Sequence, residues 1–342
     1  MQISNNYTQD NKLKNNILEC CWIGERFVEH IVKASKPMRA AHMESVFDGS
    51  ANIKTNDGRL LVITKSEVRS PITLNIRQHG EIHSFRDYMK FGSAVWDDRS
   101  KLIIENGDGG SVAIDLRKSK LFKRNLEPLT QSSLSKFRDK HDSIFCSLSK
   151  FVRPGSLLQP DITNEGVLSD QISSIANIEK KIDNDSEFAF LMVDVLGKFC
   201  GRGPGYTPSG DDFITGYLTM FNWCAKCLDF DKIKLPRYYA NLTSWTSFRL
   251  MKYGMECVCD EEMQALVNSI ARGLEKEFLA NLSAISYRGH TSGIDLVTGV
   301  VCALYTVVDR IFGTSILRKL LPCCMAEDDQ IKGSNFLDGT RL

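Results

Sequence analysis

One eight-residue pattern occurs twice in this chain. SGDDFITG at 209–216 and SGIDLVTG at 292–299 lie 83 positions apart, agree at five positions and are apolar at two more. Each reads as the start of a helix. A serine stands at the N-cap (Ser209, Ser292), an acid follows at the third helical position (Asp212, Asp295), and a glycine lies one turn further on (Gly216, Gly299). This is the pattern of a capping box with Asp in place of Glu. A glycine inside a helix costs about 1 kcal/mol relative to alanine. Two of them at matched positions therefore suggest close approach of another backbone. The repeat constrains the fold: two helices that begin with one device can point their N-termini at a common cavity, with free N–H donors and capping hydroxyls on each side.

The first copy follows GRGPGYTP at 201–208, whose glycines and prolines exclude a helix or strand interior and require a loop. From Gly210 the apolar residues Phe213, Tyr217, Met220, Phe221, Cys224 and Leu228 recur at helical spacing. The second copy follows Arg288-Gly289-His290-Thr291, again a cation, a glycine and a hydroxyl before a helix. A glycine-rich loop leading into a helix start presents backbone N–H groups to an anion or a polarised carbonyl.

The residues around the two turns divide by chemistry. Arg202, between glycines, has donors suited to a carboxylate or phosphate. Asp211, outside the capping register, has a carboxylate available for another role: accepting from an amide, orienting the arginine, or holding a magnesium ion beside a phosphate. His290 can act as an acid or base near neutral pH. These three are the candidate catalytic residues. Gly201, Gly203, Gly205, Thr207, Ser209, Gly210, Asp212, Thr291, Ser292, Gly293 and Asp295 form the candidate substrate-binding set. Thr243 to Ser247 add a third hydroxyl-rich helix start between the copies. No metal site is assigned and no cofactor is certain.

Basic and acidic residues balance, 43 against 42, so neither nucleic acid nor an anionic membrane is expected as a partner. No apolar run reaches the ~20 residues that a span requires. Eleven cysteines are spread over 342 residues, and the opening MQISNNYTQDNKLKNN lacks an apolar signal core, which suggests a reduced, cytoplasmic setting. Cys224 and Cys227 form a C-x-x-C inside a helix with no second pair to complete a zinc set. G-x-S-x-G, Walker A, dinucleotide and H-E-x-x-H signatures are missing.

The expected fold class is α+β: an N-terminal antiparallel β sheet or small barrel, then a mostly α-helical C-terminal domain. Short β-branched segments separated by turns, such as Asn56-Asp57-Gly58 and Gly107 to Gly110, place the β-rich domain at 36–117. An N-terminal helical segment is expected over 1–35, the α-helical domain with its glycine-rich loop over 118–322, and a loosely ordered tail over 323–342. Helices are expected at 187–200, 210–228, 236–253, 260–281 and 293–320, while the polar span 160–186 reads as a loop or a marginal helix.

At these motifs the sequence resembles a bacterial family that carries a G-x-G-x-G-x-T-P-S-G-D-D loop, a G-H-x-S-G-x-D segment and an N-terminal S-V-F, A-x-N, D-G block. Here they are Gly201 to Asp212, Gly289 to Asp295, and Ser45 to Phe47 with Ala51-Asn52 and Asp57-Gly58. The family, long labelled a domain of unknown function, includes the AllH-like subunit of oxamate carbamoyltransferase, a multi-subunit enzyme of anaerobic allantoin degradation, part of purine catabolism. The resemblance implies a carbamoyltransferase subunit that handles small anionic or amide-bearing metabolites of the oxamate, oxalurate and carbamoyl phosphate type, with other subunits as partners. The implied chemistry is group transfer through a tetrahedral oxyanion held by helix N-termini and a cation. Two other readings stay open: a non-catalytic metabolite-binding or scaffolding subunit, and a stand-alone amidohydrolase or carboxylase.

Overall fold

The computed structural model describes residues 16–32, 41–77, 84–98, 100–106, 110–158, 167–182 and 184–320, and the chain divides into two compact units, Met1–Arg124 and Asn125–Leu342. The first unit holds strands β1 (Asn16–Gly24), β2 (Ala41–Val46), β3 (Ser50–Thr55), β4 (Leu60–Thr64), β5 (Thr73–Ile76), β6 (Ala94–Asp97), β7 (Lys101–Glu105), β8 (Ser111–Asp115) and β9 (Lys120–Phe122). They run in the order β5-β4-β3-β2-β6-β7-β8-β1, and a β1–β5 pairing closes eight of them into a barrel; β9 adds to one side of β1. Closure pairs edges that would otherwise attract another chain. In β7 and β8 buried and less buried residues alternate, with Leu102, Ile104, Val112 and Ile114 inward.

The expected barrel is therefore present, with differences in its make-up. Asn16–Gly24 is a strand where a helical segment is expected; within 1–35 the described helical turns are α1 (Glu25–Phe27) and the π-helical Val28–Val32. The run ILECCWIG lacks clean alternation because β1 meets three neighbours, and pairing along both edges decides its state. The sheet is also mixed, not purely antiparallel: β1–β8, β1–β9 and β4–β5 are parallel. The unit extends past residue 117 because β9 pairs with β1. The turn Asn56-Asp57-Gly58 is confirmed, with Gly58 at φ 74°. The Gly107 to Gly109 part of its counterpart and the 323–342 tail lie outside the described residues.

The second unit is helical: α2 (Gln131–Arg138), α3 (His141–Ser149), α4 (Val167–Lys181), α5 (Asp185–Gly197), α6 (Ser209–Leu228), α7 (Trp245–Met255), α8 (Glu261–Arg272), α9 (Glu275–Ser286) and α10 (Ser292–Phe312). The expected helix over 260–281 divides at Gly273, whose left-handed φ of 71° ends α8. That over 236–253 divides into a 3-10 segment, Arg237–Asn241, and α7, which Ser244 caps through Ser247 N–H. That over 293–320 stops at Gly313, also left-handed. The polar span 160–186 contains α4.

The centre of this unit is the α6–α10 pair. Phe213, Tyr217 and Phe221 recur every fourth residue and stack in a ladder that Phe199 and Phe188 extend at its two ends. Tyr217 donates from inside this core to Thr306 Oγ1 at 3.1 Å. Beyond the end of α10, Asp309 organises the chain: its carboxylate accepts from Thr314 Oγ1, Ile316 N–H at 2.8 Å and Leu317 N–H at 2.9 Å. Asp309→Ala strands two buried N–H groups and is expected to cost about 3 kcal/mol. Urea denaturation of the full chain checks this, with Asp309→Asn falling between the variant and the parent.

Candidate functional site

The two repeated turns meet. Ser209 Oγ lies 3.3 Å from Thr291 Oγ1, and Thr207 Oγ1 lies 3.3 Å from Ser292 Oγ. The paired glycines permit this. A Cβ on Gly216 would come within 2.0 Å of Leu296 O, and one on Gly299 within 2.0 Å of Phe213 O, so each helix presses its bare position against the other's backbone.

The likeness extends beyond the repeated octet. Arg202 N–H donates to Phe199 O at 3.0 Å, and Arg202 O accepts from Gly210 N–H at 2.9 Å. Arg288 does the same, with Ile285 O at 2.9 Å and Gly293 N–H at 3.1 Å. Gly203 and Gly289, each following its arginine, are both left-handed, at φ 100° and 60°. A Cβ on Gly210 or Gly293 would strike the carbonyl of Phe199 or Ile285 at 1.9 or 2.0 Å. The segments entering α6 and α10 are thus two versions of one helix–loop–helix. The second loop is shorter, since Ser209 comes seven residues after Arg202 and Ser292 four after Arg288.

The copies differ in what their arginines do. Arg288 is half-buried and held by Asp260 at 2.7 and 2.9 Å and by Glu262 at 2.5 Å. Arg202 is exposed, has no carboxylate partner among the described residues, and donates from Nε to Lys198 O at 2.7 Å, at the C-terminal end of α5.

The capping boxes are not formed. Pro208 and Thr291 take the N-cap places without side-chain caps, and Ser209 and Ser292 are the first helical residues. Their hydroxyls turn away from their own helices, Ser209 to Gly155 O and Thr291, and Ser292 to Thr207. Many of the first-turn N–H groups are already taken: Gly210 donates to Arg202 O, Asp211 and Asp212 to Pro208 O, Gly293 to Arg288 O and Asp295 to Thr291 O. The supply of free donors for an anion is smaller than the motif suggests.

Asp211 is not available in the way its place in the sequence suggests. It is buried; Oδ1 accepts from Gly201 N–H at 2.7 Å and Oδ2 from the Thr243 hydroxyl, so it ties the glycine loop to the start of α7. The hydroxyl-rich third helix start is drawn in here, with Thr246 Oγ1 also 2.8 Å from Tyr206 of the loop. Desolvation raises the Asp211 pKa against the effect of these donors.

Asp212 and Asp295, the matched acids of the repeat, interact across the helix pair. Asp212 lies 3.3 Å from Thr207 Oγ1; its pKa is pushed up to about 8, chiefly by desolvation and also by the Asp295 and Asp211 charges, against the pull of the Ser292 and Thr207 hydroxyls. Asp295 is fully buried, accepts from Leu157 N–H at 2.8 Å through Oδ1, and is raised to about 6 by desolvation. With these unequal environments Asp212, the more strongly raised of the two, is the acid that keeps a proton near neutral pH.

His290 is exposed on the rim, as are Gly205 and Gly289, with Thr291 buried beneath. Arg153, which sequence reasoning did not single out, donates from Nη1 to Gly289 O at 3.2 Å and His290 O at 3.0 Å and lies over the Tyr287 ring. The loop it begins also supplies Gly155 O to Ser209 and Leu157 N–H to Asp295. Its only mark in the sequence is the turn dipeptide Pro154-Gly155.

Among the described residues no group of three or more His, Cys, Asp or Glu is placed to hold a metal ion, and no helix is long and apolar enough to cross a membrane. No curated protein and no solved structure matches the chain. Residues 199–304, which contain both turns, all of α6 and the first part of α10, match the family described as oxamate carbamoyltransferase subunit AllH, the family its loop motifs resemble.

Proposed function

We propose that this chain serves as a subunit of a carbamoyltransferase-type enzyme, and that it holds a small anionic or amide-bearing metabolite where the turns of α6 and α10 face each other. The observation that carries this reading is the pair of hydroxyl contacts, Ser209 to Thr291 and Thr207 to Ser292, inside the segment that matches the family. Arg202 is the cation left for a ligand carboxylate or phosphate, because its counterpart Arg288 is committed to Asp260 and Glu262. Gly201, Gly203 and Gly205, all left-handed, shape the loop that carries it. Other subunits of the enzyme are its partners, in the cytoplasm, with neither nucleic acid nor membrane as a target.

Arg202→Ala is expected to abolish binding of oxamate and carbamoyl phosphate while the melting temperature stays within a few degrees, since the side chain is exposed. Calorimetric titration and thermal denaturation of the same preparations check both halves. Unchanged affinity with a large loss of stability rejects the reading.

The commitment of Asp211 to Gly201 and Thr243 favours a second reading, in which this subunit binds the metabolite and another performs the transfer. Assays of the chain alone and with its partner subunits separate the two. Turnover indifferent to Asp212 and His290 supports the second.

A further inference from the structure

We infer that the cavity between the ends of α4 and α10 binds a free amino acid or a similar small ammonium carboxylate, at a site separate from the two turns. The cavity holds about 320 Å³ and is lined by Glu179 of α4 and by Asp309, Arg310, Gly313, Thr314 and Ser315 at the end of α10. That volume suits a small metabolite. Ser292 begins α10 and the cavity lies at its last turn; over 21 residues the two ends stand about 30 Å apart. The inference therefore takes nothing from the ligand reading of the turns.

The wall of the cavity carries donors and acceptors of opposite charge. Arg310 is a fixed cation: its guanidinium lies 4.2 Å from the centre of the Phe188 ring, and it donates from Nη1 to Ile182 O at 3.0 Å and from Nη2 to Asp185 Oδ1 at 2.6 Å. These bonds use two of the five N–H donors of a guanidinium, so the group is oriented without being exhausted. Ser315 is exposed, and its hydroxyl makes no hydrogen bond among the described residues, which adds a donor.

The acceptors are of two kinds. Glu179 brings a carboxylate, which takes up to about four donors and so serves a ligand as well as the protein. The second kind is the helix end. The N–H groups of Gly313 and Thr314 both return to Asp309 O, so the carbonyls that follow Asp309 in the last turn are left to other donors. They form the negative end of the helix dipole and favour a cation. Asp309 itself is spent on Thr314, Ile316 and Leu317 and shapes the wall without serving a ligand.

A carboxylate for Arg310 and Ser315, joined to an ammonium for Glu179 and the helix end, answers both sets. A plain anion sets its charge against Glu179, Asp309 and the helix end, and a plain cation leaves the remaining Arg310 donors unmatched. A metal ion fits poorly, with a guanidinium in the wall and no group of three or more ligating side chains among the described residues.

The test is thermal denaturation of the full chain with each of the common amino acids at millimolar concentration, then calorimetric titration of those that raise the midpoint. At least one is expected to bind. Its amide keeps only the ammonium and its N-acetyl derivative only the carboxylate, and each is expected to bind at least about tenfold more weakly. Ser315→Trp places a large side chain at the cavity and is expected to abolish binding, whereas Arg202→Ala, in the first turn, leaves it unchanged. Glu179→Gln is expected to weaken the amino acid at least about tenfold and to spare the N-acetyl derivative. The comparison of the three compounds needs no variant, so it stands even where Ser315→Trp folds poorly. An amide or N-acetyl derivative that binds as tightly as the amino acid, undiminished binding in Ser315→Trp, or no response to any amino acid overturns the inference.

Discussion

Gly216→Ala and Gly299→Ala are each expected to destabilise the chain by about 3 kcal/mol or more. Alanine ordinarily strengthens a helix by about 1 kcal/mol over glycine, so isolated helix propensity predicts the opposite sign. Packing reverses it. The added carbon at 216 meets Leu296 O at 2.0 Å and Val300 N at 3.2 Å, and at 299 it meets Phe213 O at 2.0 Å and Tyr217 N at 2.8 Å. These are backbone atoms inside helices and cannot swing aside as a side chain does. The helices have to separate, which loosens the aromatic ladder and parts Ser209 from Thr291. Because both methyl groups force one separation, the double variant is expected to cost clearly less than the sum. Gly49, with open space around it, serves as the control, and Gly49→Ala is expected to leave the midpoint nearly unchanged. Urea denaturation of the four variants and the parent measures the set. Additive losses, or a gain in either single variant, mean that the two helices do not share this contact.

The contact of these helices was legible because its requirements are local and repeated. A serine, an acid and a glycine at fixed spacing survive in both copies, and glycine has few reasons to sit two turns into a helix other than proximity. The deeper symmetry was not legible. Upstream of the octets the matching shifts from 83 residues to 86, since the second loop is three residues shorter, so a fixed offset pairs Arg202 with Ile285 and hides its relation to Arg288. The roles within the motif were also out of reach. Capping chemistry assigns serine hydroxyls to their own helix, but here a facing helix competes for them, and Ser209 and Ser292 satisfy the partner turn instead. Asp211 appeared unassigned because its donors, Gly201 N–H and Thr243, come from other segments. Arg153 and Leu157 reach the site from a loop outside both copies. In the first unit, alternation along β7 and β8 announced strands, whereas β1, shared among three partners, gave no single period to read.

Asp212→Asn is expected to change how stability depends on pH more than any other isosteric replacement in this site. The carboxyl group has an ordinary value of 3.8 and is raised to about 8 in the folded chain, first by desolvation and then by Asp295 on α10 and Asp211 on its own helix. The native state therefore holds this proton more tightly than the unfolded state. The stabilisation is complete below about pH 4 and is lost as pH rises toward 8, because over that window the folded chain has more protons bound. Asp295, raised to about 6, adds a contribution of the same sign over the lower part of the window. Asparagine keeps the shape and stays neutral, so the variant resembles the protonated parent. Its unfolding midpoint in urea is expected to match the parent near pH 4.5 and to exceed it at pH 8.5, by an amount on the order of 2–3 kcal/mol. The parent declines between those values, and the variant keeps only the shallower, lower-pH fall due to Asp295. Asp212 is already neutral where Asp295 titrates, so the Asp295 carboxyl is expected to titrate at nearly the same pH in the variant, which carbon-13 spectra of the labelled carboxylates follow directly. A variant as pH-sensitive as the parent between pH 6 and 8.5 means that the matched acids of the repeat do not share a buried, proton-holding environment.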